Sequence, residues 1–148
     1  MRKYAGLLLV LLLVACGTTS KAYTFKVETG DKIEVSLNTT DGLGLSHGED
    51  QFTVKSKDGS DVTTGIFLTE DMYMDYLDTL YSDDSAEIAK DAGDMIMWRY
   101  VSQAGEEYNR IIKVPDSNTY ILLASVAPDT ETERQVDAVY ESLVFTKK

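Results

Sequence analysis

Residues 95–127 read MIMWRYVSQAGEEYNRIIKVPDSNTYILLASVA. Three strand-like runs stand in it, Met95–Ser102, Glu107–Val114 and Thr119–Ala127. Each ends in turn formers: Gln103-Ala104-Gly105-Glu106, Pro115-Asp116-Ser117-Asn118 and Pro128. Short turns rich in Gly, Pro, Asp and Asn join neighbours in space, so the three runs predict an antiparallel meander. Within the last run, Tyr120-Ile121-Leu122-Leu123-Ala124 is apolar at every position. That pattern belongs to a central strand covered on both faces.

Upstream of the meander, Tyr23, Phe25 and Val27 alternate with Thr24 and Lys26, Gly30-Asp31 makes a turn, and the alternation resumes at Ile33, Val35 and Leu37. Period two on both sides of a turn predicts a hairpin. Leu43 and Leu45, then Phe52 and Val54 up to Lys57-Asp58-Gly59-Ser60, predict two further short strands. Val62–Thr69, containing Gly65-Ile66-Phe67-Leu68, predicts another, buried on both faces. At Thr69 the period becomes helical. With about 100° per residue, Met72, Tyr73, Tyr76, Leu77, Leu80 and Tyr81 fall on one half of the helix and Asp71, Asp75 and Asp78 on the other. Thr69 is placed to cap it, and Glu70 and Asp71 suit the positive end of its dipole. Ser82–Asp94 is acidic and reads as a loop holding a short helix or strand near Ala86–Lys90. Downstream, Pro128 and then Thr130 with Glu133 three residues later give a capping-box spacing. The helix they open carries Val136, Val139, Tyr140 and Leu143 on one face, and Val144 and Phe145 end the apolar signal before a solvated Lys147-Lys148 tail. The expected fold class is α+β, an antiparallel β-sheet of about six to seven strands flanked by helices.

The 148 residues suit a single domain. With 43% apolar and 26% charged residues, the composition excludes a disordered, collagen-like or polytopic membrane chain. The 14 Lys and Arg, less Arg2 and Lys3 in a removable leader, leave 12 against 25 Asp and Glu, a balance of −13. Such a surface repels phosphates, so nucleic acid is not an expected partner. One Cys excludes an internal disulfide.

At the N-terminus, Arg2 and Lys3 precede the uncharged apolar stretch Ala5–Ala15, a secretory pattern. As a helix its eleven residues would span about 16 Å, short of the roughly 30 Å hydrocarbon core of a bilayer. The stretch closes on Leu13-Val14-Ala15-Cys16, and Gly17-Thr18-Thr19-Ser20 follows. This resembles the lipobox of bacterial lipoproteins. The resemblance implies that Cys16 takes a diacylglyceryl group and becomes the mature N-terminus once residues 1–15 are removed. Residues 16–22 are then the lipidated Cys and a short tether, and residues 23–148 a single α+β domain. The implied location is the extracytoplasmic side of the bacterial cell membrane, with the lipid on Cys16 as anchor.

The order of strands, helix, three-strand meander and a last helix reading Val139-Tyr140-Glu141-Ser142-Leu143-Val144-Phe145 resembles the PsbP-like family, whose members include small bacterial lipoproteins of the DcrB type. The resemblance spans roughly Tyr23 to Phe145 and implies an antiparallel sheet sandwiched between helices. It brings no active-site motif with it. The chain's own residues are equally sparing. Its single His, His47, lies among Leu45-Ser46-His47-Gly48-Glu49-Asp50 and reads as a loop histidine, because a hydroxyl, an imidazole and a carboxylate adjacent in sequence cannot converge as a triad. No phosphate loop, zinc motif or nucleophile elbow is present, Asp58-Gly59-Ser60-Asp61 and Ser82-Asp83-Asp84-Ser85 lack the ligand spacing of a calcium loop, and no metal or cofactor is expected. Two surfaces remain as candidates. Asp71, Asp75 and Asp78 form an acidic helix face that could meet a basic partner. Trp98 and Tyr100, on one strand, are candidates for a ligand groove, since aromatic rings line sugar and peptide sites. The expected role is non-catalytic, an accessory or adaptor module that binds another envelope protein. A small-ligand or glycan binder with an aromatic-lined cleft is the alternative.

Overall fold

The computed structural model describes residues 9–11, 14–15, 18–103, 105–127 and 129–148. Cys16, the expected lipidation site, lies outside the described residues. In chain order the elements are β1 (Leu9–Leu11), β2 (Val14–Ala15), β3 (Thr18–Lys26), β4 (Lys32–Asn38), β5 (Gly44–His47), β6 (Gln51–Lys55), β7 (Asp61–Leu68), α1 (Glu70–Ser82), β8 (Glu87–Asp91), β9 (Met95–Ser102), β10 (Gly105–Lys113), β11 (Tyr120–Ala127), α2 (Thr130–Ser142) and β12 (Leu143–Lys147). No helix among the described residues is long and apolar enough to cross a membrane.

The chain is α+β, built on a seven-stranded antiparallel sheet in the order β5-β6-β7-β11-β10-β9-β8. The meander forms as expected. β9, β10 and β11 are neighbours, with Ile111 opposite Ile96 on one side and Leu122 on the other. Asp116, at φ 59°, closes the β10–β11 turn in the left-handed conformation that Asp tolerates. β11 occupies the centre, and Tyr120 to Leu123 are all buried, alternate residues pointing into two different cores. Toward its end Ala124 and Val126 emerge, because α1 does not extend over them.

Two findings depart from the sequence reading. The hairpin β3–β4 does not join the large sheet. It pairs with β12, Leu143 opposite Leu37 and Phe145 opposite Val35, as a separate small sheet, with β1 and β2 along the outer edge of β3. Residues 143–145, expected to end the last helix, are therefore a strand, drawn out by the open backbone edge of β4. The strand β3 also opens at Thr18, where a tether was expected up to residue 22: Ser20, Lys21 and Ala22 pair with Asn38, Leu37 and Ser36.

The small sheet and α2 cover one face of the large sheet. Phe25, Ile33, Val35 and Leu37 meet Phe52, Val54, Ile121 and Leu123 there, with Val136, Val139 and Tyr140 of α2 completing the cluster. On the opposite face α1 places Tyr73 and Leu80 over Leu68, Ile96, Trp98, Ile111, Tyr120 and Leu122. Each fully buried side chain of this size contributes about 1.5–3 kcal/mol. Thr69 caps α1, its Oγ1 accepting from Met72 N at 3.3 Å. For α2 the cap is Asp129, one residue before the expected Thr130, and its carboxylate accepts from Thr132 N at 2.8 Å. Either residue type can cap a helix, so only the backbone decides between them.

Candidate functional site

α1 follows the amphipathic pattern, yet it buries a narrower face than the pattern allows. Tyr73 and Leu80 are buried and Leu77 is half-buried, whereas Met72 (38% exposed), Tyr76 (36%) and Tyr81 (58%) from the same apolar half reach solvent, together with Met74 (50%). One straight helix on a gently twisted sheet contacts it along a single line, and residues more than about a quarter-turn from that line stay out. Around the helix the buried line is followed by the Met72 and Tyr76 shoulder, then Asp71, Asp75 and Asp78, then the Met74 and Tyr81 shoulder. The three Asp side chains are exposed and make no side-chain hydrogen bond or ion pair among the described residues. The outer surface of α1 is thus an acidic stripe with an exposed thioether and phenol on either side. Met74 was absent from the helical pattern that the sequence displayed, because it sits beyond the apolar half.

Where α1 ends, its surroundings are ordered by short polar contacts. The Tyr81 hydroxyl donates to Asp91, which pins β8 to the helix, and this hydrogen bond pushes the Tyr81 phenol up and the Asp91 carboxyl down. Asp83 accepts from the Ser85 hydroxyl at 2.6 Å and from Ser85 N at 2.9 Å, which hold its carboxyl below the ordinary range. Burial raises the half-buried Tyr100 hydroxyl, with Asp83 adding to the effect.

Trp98 lies beneath α1, 6% exposed, in the core with Leu68, Tyr73 and Ile111, and its Nε1 is buried without a hydrogen-bond partner among the described residues. Trp98 and Tyr100 project from the same face of β9, opposite Asn109 and Glu107 of β10, so the structure places them side by side with the indole roofed over by the helix. His47 ends β5 instead of lying in a loop. Its ring packs on Tyr23 at 4.3 Å between centroids, with Nδ1 3.1 Å from Gly48 O. Neither contact gives it a hydroxyl to activate. Three buried hydroxyls form a chain elsewhere: Thr63 Oγ1 lies 2.6 Å from Ser125 Oγ, and Ser125 Oγ 3.1 Å from Tyr140 Oη. That chain holds no base, and burial pushes Tyr140 further from ionisation. No group of three or more His, Cys, Asp or Glu among the described residues is arranged to hold a metal ion.

Comparison of the chain with protein-family profiles, with curated proteins and with solved structures returns no match.

Proposed function

We propose that this protein is a lipid-anchored adaptor of the bacterial envelope, a PsbP-like domain that uses the outer face of α1 to dock a basic, amphipathic segment of another envelope protein. The observation that carries this reading is the acidic stripe. Asp71, Asp75 and Asp78 lack side-chain partners among the described residues, and they are bordered by Met72 and Tyr76 on one side and Met74 and Tyr81 on the other. A partner segment with Lys or Arg between apolar residues complements both features. The thioethers adapt to irregular shapes, and the phenols provide contact area at low entropy cost. Charged groups at such a rim govern encounter rate and specificity more than affinity.

The large antiparallel sheet with α1 on one face and α2 on the other supports the PsbP-like reading. The lipobox supports the anchor. Because β3 opens at Thr18, a lipid on Cys16 would hold the small sheet within about 7 Å of the membrane, two residues of extended chain. Removal of residues 1–15 would also take away β1 and β2 and leave the outer edge of β3 open. The glycan alternative draws no support from Trp98, which is buried.

A photo-crosslinking residue replacing Met74 in the full-length lipoprotein, expressed in its host, tests the proposal against the same residue replacing exposed Lys57 on the far strand turn. A single protein adduct from position 74 and none from 57, mapping to a Lys- or Arg-rich segment and abolished by Asp75→Lys with Asp78→Lys, is the expected result. Adducts shared by both positions, an acidic crosslinked segment, or an adduct that survives the charge reversal would overturn it.

A further inference from the structure

A recess of about 220 Å³ lies on the side of the large sheet away from α1. Its walls come from four elements. β10 supplies Arg110 and Ile112, β11 supplies Leu123, α2 supplies Tyr140, and β12 supplies Leu143, Val144 and Phe145. Apart from Arg110 and the Tyr140 phenol, these side chains are apolar.

Acidic residues outnumber basic ones, 25 to 14, so carboxylate partners are abundant. Lys55, Arg99, Lys147 and Lys148 all take one. Arg110 takes none among the described residues. Instead its guanidinium stands 4.5 Å over the Tyr140 ring. Ring faces hold a cation in place without consuming its hydrogen-bond donors. Arg110 Nε is buried and has no acceptor, a condition that costs free energy unless a further group meets the guanidinium. The carboxyl-terminal turn of α2, which carries no basic residue of its own, lies beside Arg110 and offsets part of its charge.

We infer that this recess binds a small amphiphilic monocarboxylate, the carboxylate on the Arg110 guanidinium and the apolar body against Ile112, Leu123 and Phe145. A planar guanidinium matches a carboxylate in a two-pronged pair, which an ammonium cannot form. The volume falls below the roughly 300–1,000 Å³ of sites for drug-sized ligands, so a short acyl or aryl acid fits and a two-chain lipid does not. The recess and the α1 face lie on opposite sides of the sheet, and neither proposal depends on the other.

The test is methyl NMR titration of the full-length chain in nanodiscs with hexanoate and with hexanamide, which has the same shape and no charge. Hexanoate is expected to shift the methyl signals of Ile112, Leu123 and Val144 saturably, hexanamide to bind at least tenfold more weakly, and Arg110→Met to reduce hexanoate to the amide's level. In Arg110→Lys, which keeps the charge and loses the fork, hexanoate affinity falls to an intermediate value. Equal affinity for acid and amide, no saturable shift in these methyls, or unchanged hexanoate binding in a folded Arg110→Met chain would each overturn the assignment. If Arg110→Met fails to fold, the acid–amide comparison on the native chain decides alone.

Discussion

Gly65 faces Phe52 across the β6–β7 ladder, and a Cβ built there would stand 2.0 Å from Cζ of the ring, with Cε1 and Cε2 at 2.4 and 2.6 Å. Phe52 is fully buried among Phe25, Phe67 and Phe145, so its ring has nowhere to go. Gly65→Ala is therefore expected to cost about 3 kcal/mol, the upper end for overpacking, read as a fall in the urea midpoint at unchanged slope. A loss below about 1 kcal/mol would mean that the ring is free to move. Nothing in Gly65-Ile66-Phe67-Leu68 announces this contact, since the ring that requires the glycine lies on another strand. Cys16 is the opposite case, since its proposed lipidation rests on its neighbours in sequence alone. Cys16→Ser is expected to move the protein from the membrane to the soluble fraction or to block its processing. Membrane retention without an acyl adduct in the parent's intact mass would remove the anchor from the proposal.

At the scale of the element, the acidic stripe of α1 works against the stability of its own helix. Asp71 and Asp75 are four residues apart and Asp75 and Asp78 three, spacings at which like charges repel on a helix, and Asp78 stands toward the negative end of the dipole, where the last turn holds no basic residue. Asp78→Lys is expected to stabilise the fold by about 0.5 kcal/mol, measured as a higher thermal midpoint, while weakening the crosslink from position 74. A destabilised Asp78→Lys chain would show that the stripe serves the fold instead. The sequence displayed the helix, its Thr69 cap and its acidic side, because all three follow from spacing along one chain. It did not display that Met72, Tyr76 and Tyr81 stay exposed, because the width of the buried face depends on how the helix lies on the sheet.

Across the whole molecule, Asp31 joins the two sheets. Its carboxylate receives Lys147 Nζ at 3.0 Å from β12 and, from the β10–β11 turn, Asn118 N at 3.1 Å and Thr119 Oγ1 at 3.2 Å. The hydrogen bond from Lys147 leads in holding this carboxyl below its ordinary value. The Ser56 hydroxyl does the same for Asp58, down to about 2, Thr132 N for Asp129, Arg99 for Glu87, the Tyr81 hydroxyl for Asp91 and the Ser85 hydroxyl for Asp83. A carboxyl lowered in the folded state binds its proton more readily in the unfolded one. Its stabilisation is complete above about pH 4, the ordinary range, and is lost as the pH falls through the folded value. The thermal midpoint is thus expected to be level from neutrality to about pH 5 and to fall steeply toward pH 2. Asp31→Asn is expected to lower the midpoint at pH 7 and to flatten that fall; a slope equal to the parent's would remove Asp31 from the account. At the alkaline end, burial raises Tyr73, Tyr100, Tyr108 and Tyr140, so stability is lost again as pH climbs above about 10, where the unfolded phenols ionise first.

The sequence by itself determined the local grammar of this protein: the meander, the central apolar strand, two capped helices and the acidic helix face. Each is a matter of side-chain period or neighbouring residues, and period is a property of the backbone at hand. Only the tertiary structure decided that β3, β4 and β12 form a sheet of their own, that α1 leaves both shoulders exposed, and that Arg110 stands in an apolar recess. Residues 33–37 and 143–147 find each other across more than a hundred positions, and such pairing is settled by which backbone edges and apolar faces remain open once the large sheet has formed. No local pattern encodes it.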